Sequence, residues 1–226
     1  MPLSFRRLIT SLPFILLIAA CFYGVLLAIH WLLGDVYAYR VKHAVNQWQA
    51  HAALPAEADI LDAHNNIDAA LDWEPGNPEY LGLKAQVLYF QALAESQGGQ
   101  LDRQLLKQVQ EFHRQAVVQR PRWPYSWAGL LLMKAHLQEW DQEFHQVLLN
   151  TVMYGPWERS VHLMLAQVAG LSWSHLDTEQ KRIFVEGIQR GLRWAPSEIR
   201  DILDAYQIRS RVCVYLARDD YLRLCR

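Results

Sequence analysis

Residues 12–33 form a run of 22 in which only Pro13, Gly24 and His30 are not apolar, and no Asp, Glu, Lys or Arg stands between Arg7 and Asp35. As a helix rising about 1.5 Å per residue, such a run spans roughly 33 Å, enough to cross a hydrocarbon core of about 30 Å. Arg6 and Arg7 sit directly before it, whereas Arg40 and Lys42 lie farther off and are partly offset by Asp35. The positive-inside rule therefore predicts a cytoplasmic N-terminus and a single pass through the inner membrane. The expected division is a membrane anchor over residues 1–35 and a periplasmic helical-repeat domain over residues 36–226. His30 is expected at the outer interface beside Trp31, where a polar tip reaches water.

Two processing alternatives compete with an uncleaved anchor. Ile18-Ala19-Ala20-Cys21 has the small residues before a cysteine that a lipoprotein site requires. Against it, largely apolar sequence continues from Phe22 to Leu33, and the stretch before Cys21 is short and interrupted by Pro13. An ordinary cleaved signal peptide is the third option. The uncleaved anchor accommodates the whole apolar run.

The rest of the chain reads as helices of ten to twenty residues separated by Pro and Gly turns, with almost no strand pattern. Tyr37, Val41, Ala44 or Val45, and Trp48 share one face of the segment that follows the anchor, and Pro55 ends it. Ile60, Leu61, Ile67 and Leu71 are expected to face inward in the next helix. Asn77 can cap a helix whose first position is Pro78, and Asp177 with Gln180 forms a capping-box pair. Short connections make neighbouring helices antiparallel.

Proline-marked turns recur at Pro75, Pro121, Pro156 and Pro196, spaced by 46, 35 and 40 residues. Gln-Glu-Phe-His occurs at residues 110–113 and again at 142–145, 32 residues on, which suggests a shared packing role for His113 and His145. Periods in the mid-thirties are those of stacked helix–turn–helix repeats, and tetratricopeptide repeats run at about 34. Trp127 falls at the large aromatic position of one repeat, Leu165 and Ala166 at the large–small pair of another, and Ala85 at a small position. The expected fold is all-α: a transmembrane helix followed by a tetratricopeptide-like stack of antiparallel helix pairs. An irregular helical bundle is the alternative.

Little in the sequence carries chemistry. Twenty-two basic against twenty-three acidic residues argues against a nucleic-acid partner. No metalloprotease, Cys-x-x-Cys, phosphate-loop, nucleophile-elbow or dinucleotide motif is present, and none of the nine histidines pair at i,i+4. The expectation is a non-enzymatic chain without cofactor or metal. Cys213 and Cys225 lie twelve residues apart in a segment expected to be in an oxidising compartment. One continuous helix would hold their Cα atoms about 18 Å apart, beyond the limit of about 7 Å for a bridge. A disulfide therefore requires the chain to reverse around residues 217–220; the alternative is two thiols on one helix.

Two turns concentrate aromatics and charge: Arg120-Pro121-Arg122-Trp123-Pro124-Tyr125-Ser126-Trp127-Ala128, and Tyr154-Gly155-Pro156-Trp157-Glu158. One reading is structural, with rigid proline turns and tryptophans locking successive pairs. The other is a partner-binding surface made of Arg120, Arg122, Trp123, Tyr125, Trp157 and Glu158, because Trp, Tyr and Arg dominate interface hot spots. Trp127 is expected in the core and Trp123 at the surface. These segments resemble the VpsP-type polysaccharide biosynthesis proteins of Gram-negative exopolysaccharide clusters, which pair a short membrane segment with a tetratricopeptide-like domain. The resemblance implies an accessory role in making or exporting a surface polysaccharide, with assembly proteins, and in a further version the polysaccharide itself, as partners. It supplies no catalytic residues. The mechanism expected is binding on the concave face of the stack. The rivals are a tetratricopeptide-like assembly factor for another envelope machine and a glycan-modifying enzyme without a recognised motif.

Overall fold

The computed structural model describes the backbone of residues 3–51 and 54–225, and side chains over residues 13–50 and 54–225. The side chains of Arg6 and Arg7, on which the direction of insertion rests, lie outside the described residues. Among the described residues there are eleven α-helices and no strand. They are α1 (Leu3–His51), α2 (Glu57–Trp73), α3 (Pro78–Ser96), α4 (Arg103–Gln119), α5 (Pro124–Leu137) and α6 (Gln142–Tyr154), then α7 (Arg159–Ser172), α8 (Thr178–Gly191), α9 (Pro196–Ala205), α10 (Arg209–Cys213) and α11 (Arg218–Leu224).

The anchor and the first helix of the stack are one helix. α1 runs without a break through the boundary expected at residue 35, and its first part is long and apolar enough to cross a membrane. Its side chains change function at Gly34. Before it the apolar residues are exposed; after it Ala38, Val41, Val45 and Trp48 form a buried stripe against Ala63, Ile67 and Ala70 of α2 and Leu83 and Val87 of α3. The spacing of three and four residues is the helical stripe. The same rule explains why Leu61 is 60% exposed, contrary to expectation. Ile60, Ala63, Ile67 and Ala70 complete the α2 stripe, and Leu61 is turned about 100° away from it.

Local signals set the helix starts. Asn77 accepts from the backbone of Glu79 and Tyr80, Asp102 from Leu105, and Asp141 from Phe144, while Asp177 and Gln180 form the reciprocal capping box. Proline stands in the first turn of α3, α5 and α9, where a missing N–H costs nothing.

Helices α3, α5, α7 and α9 run side by side in the direction of α1. The Tyr80 hydroxyl donates to Asp35 at 2.7 Å, and Lys42 pairs with Glu79, which puts the start of α3 level with the end of the apolar run. Tyr89 of α3 and His136 of α5, each about twelve residues into its helix, share a hydrogen bond of 3.0 Å. Tyr125 near the start of α5 donates to Glu158, the cap of α7, and Arg159 of α7 pairs with Glu198 near the start of α9. The four proline-marked turns therefore lie along one edge.

The centre of the stack is α5, with eleven of its fourteen residues buried. Lys134 has a buried stem and an Nζ that reaches Glu143 at 2.8 Å, Asp141 at 3.0 Å and Glu139 at 3.5 Å. Glu139 accepts from Gln110 of α4, and Glu143 pairs with Arg114, so one cation ties α4, α5 and α6 together. Burial alone would lower the Lys134 pKa; its bonds to Glu143 and Asp141 outweigh that and raise it. Tyr89 of α3 and His136 of α5 meet, Tyr206 packs against Gly170 of α7, and Tyr206 lies near enough to Tyr89 to add to the rise in its pKa that burial begins.

Several sequence expectations are corrected. The two Gln-Glu-Phe-His copies are not equivalent, because Gln110 lies in the middle of α4 and Gln142 opens α6. His113 is accordingly buried and His145 only half-buried. The C-terminal segment forms three short helices rather than two. Cys213 and Cys225 are bridged, with Cα atoms 6.2 Å apart. The reversal occurs at residues 214–217, slightly earlier than expected, and Arg218, Asp219 and Asp220 open α11.

His113 packs on Gly129, where a Cβ would come 2.3 Å from the imidazole. Gly129→Ala should therefore lower stability by about 1–3 kcal/mol, and combining it with His113→Ala should cost less than the sum of the single changes in urea unfolding. Burial lowers the His113 pKa from 6.5 to about 4. Between those values the unfolded chain binds a proton that the folded chain refuses, so stability is full above pH 6.5 and falls as pH drops towards 4, by up to about 3 kcal/mol for this group. His113→Gln should flatten that dependence only in part, because burial also lowers His136 and His162.

Candidate functional site

The turn between α4 and α5 is held by its own side chains. The Arg120 guanidinium lies 3.8 Å from the Trp123 ring centroid, a cation–π contact, and Trp123 meets Tyr125 edge-on at 5.1 Å. The Tyr125 hydroxyl donates to the Glu158 carboxylate across to the next turn, and that hydrogen bond is the main cause of the raised Tyr125 pKa. Pro124 also presses on Gly155, where a Cβ would come 3.0 Å from its ring. Arg120, Trp123, Tyr125 and Glu158 thus form one continuous chain linking α5 to α7.

Of the six candidate residues, this arrangement brings together those four and leaves two facing out. Arg122 is exposed, and Trp157 is 75% exposed. The expected division between Trp123 and Trp127 is not observed. Both are half-buried: Trp123 is sandwiched by Arg120 and Tyr125, while Trp127 packs on the core and donates its indole N–H to the Pro121 carbonyl at 2.7 Å. A tryptophan at a packing position still keeps its polar edge where a carbonyl is available, which draws Trp127 towards the turn.

The edge extends beyond the two turns singled out. Trp194, 61% exposed, and Arg193 occupy the fourth turn, just before Ala195 and Pro196. The signal was an aromatic residue beside a turn proline, the same pattern as Trp123-Pro124 and Pro156-Trp157. Met153 and Val118, at the ends of α6 and α4, add exposed apolar surface.

Two shallow grooves lie nearby. One, about 410 Å³, runs between α6 and α8, with Leu149, Met153 and Ile183 beneath a rim that includes Glu179, Arg182 and Glu186. The other, about 610 Å³, lies where α1 meets α3, beside Tyr39, Arg40 and Tyr80. Among the described residues no group of His, Cys, Asp or Glu is placed to hold a metal ion. The chemistry on offer is that of binding: exposed indoles, guanidinium groups and apolar side chains.

The molecule is thus an all-α helical-repeat stack built on one N-terminal helix long and apolar enough to cross a membrane. Compared with protein-family models, curated proteins and solved structures, the chain matches none of them.

The geometry separates lock from surface. Glu158→Gln should cost about 1 kcal/mol or less, because the bond to Tyr125 is largely exposed, and Tyr125→Phe should add little to it in a double-mutant cycle. Trp157→Ala should change stability by less than about 0.5 kcal/mol, whereas Trp127→Ala should lower the thermal midpoint clearly. Calorimetry on the four variants checks this ordering.

Proposed function

We propose that the protein is a single-pass membrane adaptor whose periplasmic helical stack holds components of a surface-polysaccharide assembly system close to the inner membrane. The observation that supports this reading best is the unbroken α1, which is at once the apolar span and the first packed helix of the stack. A flexible linker would let a domain roam; a continuous helix sets its height and direction relative to the bilayer. The polysaccharide context comes from the resemblance carried by Arg120–Ala128 and Gly155–Glu158. Protein contact falls in the groove of α6 and α8, where Leu149 and Met153 lie beneath a charged rim.

A phosphatase fused after Arg226 should be active and a cytoplasm-dependent fluorescent protein dark; the reverse pattern removes the periplasmic assignment. The tagged full-length chain, extracted from native membranes, should enrich glycosyltransferase or polysaccharide-export proteins, and Leu149→Asp with Met153→Asp should abolish that enrichment without unfolding the stack. Enrichment of haem-lyase or secretion components instead would replace the polysaccharide assignment with that of another envelope assembly factor.

A further inference from the structure

The two edges of the stack differ in chemistry, and α1 fixes which of them lies next to the bilayer. At the end of the apolar run, the Trp73 ring meets His30 edge-on at 5.2 Å, and Gly34 lies against Trp73 and Tyr80. The first proline-marked turn therefore sits at the height of the last residues of the span. Helices α5, α7 and α9 each begin level with the odd-numbered helix before them through Tyr89–His136, Tyr125–Glu158 and Arg159–Glu198. The turns at residues 120–123, 155–158 and 192–195 follow at a similar height.

This edge presents Trp157, Trp194 and Val118, all more than half exposed. Arg122 and Arg193 are exposed beside them, and neither forms a salt bridge among the described residues. The acidic groups that open α3 and α9 and cap α7 are engaged: Glu79 with Lys42, Glu198 with Arg159, and Glu158 with Tyr125. The opposite edge carries no exposed tryptophan among the described residues. Its loops expose Gln97, Gln100, Gln138, Ser174 and Asp177, with Leu54 and, beside Trp173, Tyr215 as apolar residues, while Trp173 is buried and Trp140 is half-buried against His175.

Tryptophan belongs to the membrane–water boundary because its ring is apolar and its N–H is polar, and unpaired arginine is drawn to phosphate headgroups. We propose that the proline-turn edge is a lipid-facing surface, lying on the headgroup layer of the leaflet from which α1 emerges. Trp157 and Trp194 enter the interface, and Arg122 and Arg193 contact phosphates. The inference rests on α1 spanning the membrane, and it assigns Arg122 and Trp157 to lipid rather than to a protein partner.

The test uses the full chain in protein-free phosphatidylcholine–phosphatidylglycerol vesicles carrying a headgroup nitroxide. An environment-sensitive fluorophore is attached singly through Gln119→Cys, Ser197→Cys, Gln100→Cys or Ser174→Cys, each in a Cys21→Ser background. Probes at 119 and 197, on the proline-turn edge, should be quenched about threefold more than those at 100 and 174. Trp157→Asp with Trp194→Asp should reduce the quenching at 197 about twofold as the distal repeats lift away. Equal quenching on both edges, or no response to the double replacement, overturns the proposal and leaves the edge to a protein. Alkaline carbonate extraction separates the two layers of the reading. Carbonate-resistant protein with unquenched probes refutes the lipid-facing edge alone, whereas carbonate-released protein refutes the span and the edge together.

Discussion

Everything in this molecule hangs on the change of environment along α1. From Leu12 to Leu33 the helix is apolar almost throughout, the composition that hydrocarbon demands of a spanning segment. From Gly34 the apolar residues narrow to the stripe Ala38, Val41, Val45 and Trp48, as water on the other face demands. Gly34 marks the change sterically as well, since a Cβ there would meet the Tyr80 hydroxyl at 3.1 Å and the Trp73 Cβ at 3.4 Å. The small residue lets α2 and α3 close against the helix where its apolar run ends. The first hydrophobic cluster cannot form without α1, because the α2 stripe has only α1 and α3 to cover it.

A second constraint holds the distal half. α5 is surrounded, so it cannot face its few polar groups to water, and each must find a protein partner. Lys134 does so with three carboxylates from the turn and first residues that lead into α6. Such a buried cation adds little net stability over an apolar side chain, but removing its partners would be costly. It constrains where α6 starts relative to α4 and α5. His113 takes the opposite course: its Nδ1 has no partner, and burial keeps the ring neutral. Gly129 makes the space that allows it.

What was legible in the sequence was local or periodic. Asn77-Pro78, Asp177 with Gln180, and the prolines at the turns act within one helical turn, and their effects appear where the pattern put them. Ala85, Leu165 and Ala166 are buried as repeat positions should be, because each touches its own or the adjacent pair. The misses needed knowledge of which neighbour covers which face. Leu61 depended on the direction of the α2 stripe, and Trp123 on an Arg120 folded back over its ring. The approach of Tyr206 to Tyr89 joins residues more than a hundred apart in sequence, which no local pattern signals. The repeated Gln-Glu-Phe-His misled because identical tetrapeptides at different depths in their helices face different surroundings.

The turns of this stack do more than connect. In an open solenoid the concave face carries binding, and the turns serve as connectors. Here the same punctuation that starts α5, α7 and α9 carries Trp157, Trp194 and Arg122 to the surface. Four residues of the aromatic turns are consumed in locking α5 to α7, which makes the edge rigid; a rigid edge presents its remaining indoles and guanidinium groups at a set height. Continuity with α1 sets that height relative to the apolar run. The groove of α6 and α8 has Pro156 in its wall, immediately before Trp157. On the proposed membrane reading, a protein docked there meets the stack and the bilayer at once, which favours partners that are themselves held at the membrane surface.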